Sequence, residues 1–142
     1  MSQTESATCD VICSTAVTAA TDNVRRHLLA LAKAPLGLRG EFLVVYHLAV
    51  DNPAVLPIGL AMHDRGSLSG PAYLAAAAKA RIIVDLEDGV DAATRTARLT
   101  ALKQTGIPIL AEQGPAAREV LPADALFSTP EALVDKVYAY LR

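Results

Sequence analysis

The sequence predicts an α/β fold: a three-layer sandwich of four to five mostly parallel strands with helices on both faces. Three observations carry this. Short apolar runs end in polar or Gly-rich turns, most clearly in Ile82-Ile83-Val84-Asp85-Leu86-Glu87-Asp88-Gly89. Segments of helical periodicity separate those runs from residue 70 onward, the alternation expected of parallel strands joined by crossovers. Aromatic residues make up only 4% of the 142 residues, and Trp is absent. Small side chains must therefore fill much of the core, so the layers pack closely.

The elements follow in chain order. Residues 1–20 are small and polar, and read as a flexible N-terminal arm with at most a short strand or helix over Val11–Val17. Residues 21–142 form a single α/β domain, as the length suggests. Thr21 or Asp22 can cap a helix, and Val24, Leu28, Leu31 and Ala32 recur at helical spacing until Pro35 and Gly37 stop it. Phe42-Leu43-Val44-Val45-Tyr46 is a β-prone run, broken by Asp51-Asn52-Pro53. Val55–Met62 reads as a second strand weakened by Pro57 and Gly59, and these first two runs can pair as an edge hairpin. His63-Asp64-Arg65-Gly66-Ser67 is a polar loop.

Ser69-Gly70-Pro71 starts an Ala-rich helix through Lys79, and Arg81–Leu86 is the third strand. Asp91 is the N-cap of a helix reaching Gln104, with Ala93, Ala97 and Ala101 as a narrow stripe beside Leu99 and Leu102. Thr105-Gly106 ends it before the strand Ile107-Pro108-Ile109-Leu110. Gly114-Pro115 opens a short helix, and Ala125-Leu126-Phe127 is a fifth strand. Ser128-Thr129-Pro130-Glu131, a hydroxyl cap before proline, starts a last helix that buries Leu133, Val137, Tyr140 and Leu141.

The totals bound the function. The chain is 52% hydrophobic and 20% charged, with a net charge of −2, an ordinary soluble composition. That charge argues against a role dominated by duplex nucleic acid, although a local basic patch leaves nucleic acid a possible partner. No signal-peptide pattern and no membrane-length apolar run is present, so a cytoplasmic location without membrane contact is expected. Cys9 and Cys13 read as free thiols rather than a metal pair, since a zinc site needs four ligands.

Ligands of parallel sheets sit outside the carboxyl ends of the strands. That places Asp85, Glu87, Asp88 and Glu112 near one another if the strands containing Ile83 and Ile109 are neighbours. His63 could join them as a general base. Asp85 and Glu87 share a face at two-residue spacing, so Asp85, Glu87 and Asp88 could hold Mg²⁺. Asp85, Glu87, Glu112 and His63 are the candidate catalytic residues, and no cofactor other than Mg²⁺ is suggested. His27 and His47 read as structural. Arg95 and Arg98 lie at pairing distance from Asp91, as a solvated, self-paired helix surface.

Two resemblances accompany this reading. IIVDLEDG followed by ATRTARLTALKQTGIPIL resembles the later half of small restriction-endonuclease-like domains, in which an acidic strand runs into an Arg-rich helix and a Gly-Ile-Pro strand. That resemblance implies Asp85 or Glu87 as a metal ligand in phosphodiester hydrolysis. ADALFSTPEALVDKVYAYL is similar to the last strand and helix of response-regulator receivers, with Thr129 where those carry a lysine. The functional expectation is a small binding or regulatory domain, non-catalytic, with a protein partner or self-association as a homodimer. A metal-dependent nuclease-like hydrolase and a small-molecule or nucleotide binder are the alternatives.

Overall fold

A computed structural model describes residues 9–38, 43–52, 54, 56–68 and 70–141. The elements are β1 (Cys9–Val17), α1 (Asp22–Leu38), β2 (Val44–Val50), α2 (Ile58–Ala61), α3 (Gly70–Ala77), β3 (Ala80–Asp85), α4 (Ala92–Lys103), β4 (Ile109–Glu112), α5 (Pro115–Val120), a 3₁₀ turn (Ala123–Ala125), β5 (Leu126–Phe127) and α6 (Pro130–Leu141). All pairings are parallel, in the order β2-β1-β3-β4-β5. The α/β fold class and the parallel sheet are thus as the sequence predicts.

The largest departure is β1. Residues Cys9–Val17 of the segment taken for an arm form an interior strand, paired to β2 on one side and β3 on the other. Residues 1–8 lie outside the described residues. Cys-Asp-Val-Ile-Cys-Ser-Thr-Ala-Val mixes small polar groups into an apolar run, which disguises a strand covered on both faces. Val11, Cys13 and Val17 nonetheless have no exposed surface.

The second departure follows from the first. Among the described residues of the Val55–Met62 stretch there is no strand and no hairpin, and they hold the short helix α2. Instead the strip His63–Arg65 runs beside β2, with Tyr46 N–H donating to the His63 carbonyl and Arg65 N–H to the Tyr46 carbonyl. Pro57 and Gly59 weaken a strand; three polar residues satisfy that edge at less cost in apolar exposure. The first helix also runs past Pro35, to Leu38. Phe42 and Ser69 fall outside the described residues.

The sheet divides the core into two layers. Val11, Cys13, Tyr46, Ile82, Val84 and Leu110 pack beneath α1 and α6 with Leu28, Leu31, Leu133 and Val137. Ile12, Val45, Ile83, Ile109 and Ala111 pack beneath α3 and α4 with Tyr73, Ala77, Leu99 and Leu102. Each large apolar side chain sealed in these layers contributes roughly 1.5–3 kcal/mol. Cys9 belongs to the second layer and Cys13 to the first, and both are buried. No helix among the described residues is long and apolar enough to cross a membrane.

Candidate functional site

From β1 the chain steps to β2 on one side and, later, to β3 on the other. The loops leaving β1 and β3 therefore diverge, and a doubly wound sheet opens its ligand crevice outside the carboxyl ends at that point. β3 and β4 are paired neighbours there, with Asp85 opposite Ala111. The structure consequently brings Asp85, Glu87, Asp88 and Glu112 to one end of the sheet, together with two arginines of α4.

Two guanidinium groups meet three of the four carboxylates in this knot. Arg95 Nε donates to Asp85 Oδ1 at 2.8 Å, and Arg98 Nε donates to Asp85 Oδ2 at 2.8 Å. Arg98 also reaches Asp88 Oδ2 at 3.2 Å and the Leu86 carbonyl at 3.2 Å. Arg95 Nη2 donates to the Glu112 carbonyl at 2.8 Å, while its Nη1 lies 3.3 Å from Glu87 Oε1 without hydrogen-bond alignment. Asp88 Oδ2 accepts from Thr15 Oγ1 and from Ala16 N–H, at 3.1 and 3.3 Å, which ties the loop after β3 to β1. Glu112 Oε1 accepts from Glu87 N–H at 2.9 Å and from Asn23 Nδ2 at 3.0 Å, which ties β4 to α1.

Burial acts to lower the Arg98 pKa, but the Asp85 charge and hydrogen bond, followed by those of Asp88, outweigh it and hold the guanidinium above its ordinary value. Arg98 is therefore a permanent cation. Asp85 sits between it and Arg95 with both oxygens engaged. The Cys13 thiol under the sheet is pushed well up by burial and then by the Asp85 charge.

Two sequence expectations need correction here. Arg95 and Arg98 are no solvated pair for Asp91: Arg95 is fully buried. The inner face of α4 is Arg95, Leu99 and Leu102, and Ala97 is exposed. An arginine stem can line an apolar interface while its head meets a carboxylate, which alanine periodicity does not reveal. Asp91 is instead the N-cap, accepting from Thr94 N–H at 2.7 Å. His63 is not with the acidic residues. It borders β2 at the sheet's far edge, with Nδ1 3.0 Å from the Val44 carbonyl and its ring against Tyr46. The chain returns along β2 after α2, and β2 and β1 then stand between His63 and β3.

The proposed metal set meets a similar obstacle. Both oxygens of Asp85 and both of Asp88 face guanidinium groups, and no group of three His, Cys, Asp or Glu side chains among the described residues could hold a metal ion. His27 is buried on α1, with Nδ1 2.7 Å from the Asn23 carbonyl and its ring tilted against Phe127. His47 holds the Gly66 carbonyl through Nδ1 at 2.9 Å.

Beside the knot, at the carboxyl ends of β1 and β2, lies a cleft of about 690 Å³. Leu48, Val50 and Leu56 give it apolar walls, Thr18 and Ser67 bring hydroxyls, and Asp64 brings a carboxylate. Asp64 Oδ1 accepts from Leu48 N–H at 3.0 Å and Gly66 N–H at 2.8 Å, which fixes it. Asp51 also lines the cleft, and among the described residues no basic side chain does. Sequence reasoning missed this cleft because one of its walls is the strip read as a free loop.

No protein-family model and no curated protein matches the sequence. Among solved structures, a protein from Listeria monocytogenes named as a UDP-N-acetylglucosamine 2-epimerase superposes on 96% of this chain with a TM-score of 0.68, at 16% identity. The chain spans 38% of that protein's length. At this identity the likeness shows the fold: a small α/β domain with a layered arrangement shared with part of a larger protein.

Proposed function

We propose that this chain is a small-molecule binding domain whose ligand is a polyhydroxylated compound of the sugar or nucleoside class, taken at the carboxyl edge of the sheet. The observation that carries this reading is the cleft at the ends of β1 and β2, beside the point where the strand order diverges. Its volume falls within the range of ordinary ligand pockets. Its lining selects the chemistry. Apolar walls suit the faces of a ring, the hydroxyls of Thr18 and Ser67 give and accept hydrogen bonds, and two carboxylates accept them from ligand hydroxyls. With Asp51 and Asp64 present and no basic side chain among the described residues that line the cleft, an exposed phosphate is disfavoured there. The fold neighbour named for a nucleotide sugar supports the ligand class. The engagement of the Asp85, Asp88 and Glu112 oxygens in holding loops together supports binding rather than catalysis.

Melting temperature measured with N-acetylglucosamine, uridine, UDP and UDP-N-acetylglucosamine tests the reading. A ligand at one hundred times its Kd stabilises by roughly 2.7 kcal/mol, a shift of several degrees. Ala49 is exposed and lines the cleft, so Ala49→Trp fills it without disturbing the core. The expected result is a rise with uridine or N-acetylglucosamine that Ala49→Trp abolishes. No rise with any of the four, or a rise indifferent to Ala49→Trp, would overturn the proposal.

A further inference from the structure

A second cavity of about 350 Å³ lies between α3, the sheet and the strip that borders β2. It differs in chemistry from the cleft. Ile12 and Val45 give it an apolar base, Ala76 of α3 keeps one wall shallow, and its polar lining includes Arg65 and Lys79, with no carboxylate among the described residues. His47 contributes a side chain that is almost entirely buried and held by the Gly66 carbonyl.

Two positive charges on one cavity are unexpected in a chain of net charge −2. The nearby arginine at the start of β3 is paired, with Arg81 meeting Asp10 at 3.1 Å. Among the described residues, neither the Arg65 nor the Lys79 side chain makes an ion pair or hydrogen bond. Their backbones are nevertheless anchored, Arg65 N–H to the Tyr46 carbonyl and Lys79 N–H to the Ala76 carbonyl. Two unpaired cations on fixed backbone, over an apolar base, present the complement of an amphipathic anion.

We propose that this cavity binds a small organic anion, a phosphate or carboxylate carried on an apolar body. The charged group meets Arg65 and Lys79, and the body lies against Ile12, Val45 and Ala76. The site is independent of the sugar or nucleoside cleft: the linings of the two share no residue.

Amide shifts of the full chain, titrated separately with phenyl phosphate, benzoate and inorganic phosphate, provide the test. Saturable shifts at Arg65, Gly66, Ala76 and Lys79 with phenyl phosphate or benzoate are expected, and the one that binds more tightly names the charged group. Both cations are exposed, so the Arg65→Gln, Lys79→Gln double variant retains the fold and weakens binding by at least about tenfold, the worth of one charge-assisted contact. Ala49→Trp leaves the affinity unchanged. The proposal fails if neither organic probe saturates these amides, if the double variant binds as tightly, or if inorganic phosphate binds as well as phenyl phosphate, since the apolar base then adds nothing.

Discussion

Arg95 and Asp85 meet across the interface of α4 and β3 at 2.8 Å, with side chains 1% and 2% exposed. Such a pair gains little over an apolar substitute but is costly to break, because the surviving charge has nowhere to go. Here the survivors would be two arginines, Arg95 and Arg98, both directed at the same carboxylate. Asp85→Ala should therefore cost about 3–5 kcal/mol in urea unfolding. Replacing Asp85, Arg95 and Arg98 together by apolar residues of similar size should cost less than Asp85→Ala alone. A loss below about 1 kcal/mol for Asp85→Ala would mean that the knot is solvated.

The same engagement bears on metal. A divalent ion needs several free oxygens, and Mg²⁺ gives up its water reluctantly. Displacing two guanidinium groups from Asp85 would leave Arg95 and Arg98 only their weaker contacts to Glu87 and Asp88. Millimolar Mg²⁺ should thus leave the melting temperature unchanged and shift no amide of residues 85–88. A saturable Mg²⁺ shift at those amides would restore the acidic cluster as a metal site.

Much of the scaffold was legible, and the reasons are local. The strand from Arg81, the helix capped by Asp91 and the helix beginning after Thr129 each carry an apolar pattern with its own stop or start signal. Asp91 and Thr129 accept the helix N–H groups expected of them, from Thr94 and Ala132. The nearness of Glu112 to Glu87 followed from placing two strands side by side. What was not legible depended on distant partners. β1 has a strand's burial without a strand's composition, because its small polar residues meet groups far along the chain, as Thr15 meets Asp88. The inward turn of Arg95 requires knowing that Asp85 waits beneath it. No spacing rule separates that arginine from a solvated one.

Asp91 gives a pH signature. Its pKa is lowered from the ordinary 3.8, first by the Thr94 backbone hydrogen bond and then by the Thr94 hydroxyl. A carboxyl depressed in the folded state contributes stability that is fully present above its unfolded value and is lost as pH falls through the folded one. The stability gap between the native chain and Asp91→Ala should be constant near neutrality and shrink below pH 3.8. A gap that does not change with pH would show that the charge plays no part in the cap.

Cys13 provides a probe of global opening. Burial, reinforced by Asp85, holds its thiol well above the ordinary value, and only a thiolate attacks an alkylating reagent. Iodoacetamide should label Cys13 at the rate of unfolding and no faster, as read by mass spectrometry across a urea series. Fast labelling in native buffer would place β1 at the surface.

Gly114 tests the contact between α5 and the knot. Its backbone is extended, with φ of 176°, so any residue suits the conformation and only space limits it. A Cβ there would stand 2.5 Å from Glu87 Oε2 and 3.0 Å from Arg95 Nη1. The Glu87 carboxylate ends a flexible chain and is 37% exposed, so it can swing away, whereas Arg95 is pinned by Asp85 and the Glu112 carbonyl. Gly114→Ala should therefore displace Glu87 and spare Arg95. The expected cost is about 1 kcal/mol, the scale of a partly exposed ion pair. Glu87→Ala should cost a similar amount and make Gly114→Ala nearly neutral in a double-mutant cycle, a coupling that fails to appear only if the strain falls on Arg95 instead.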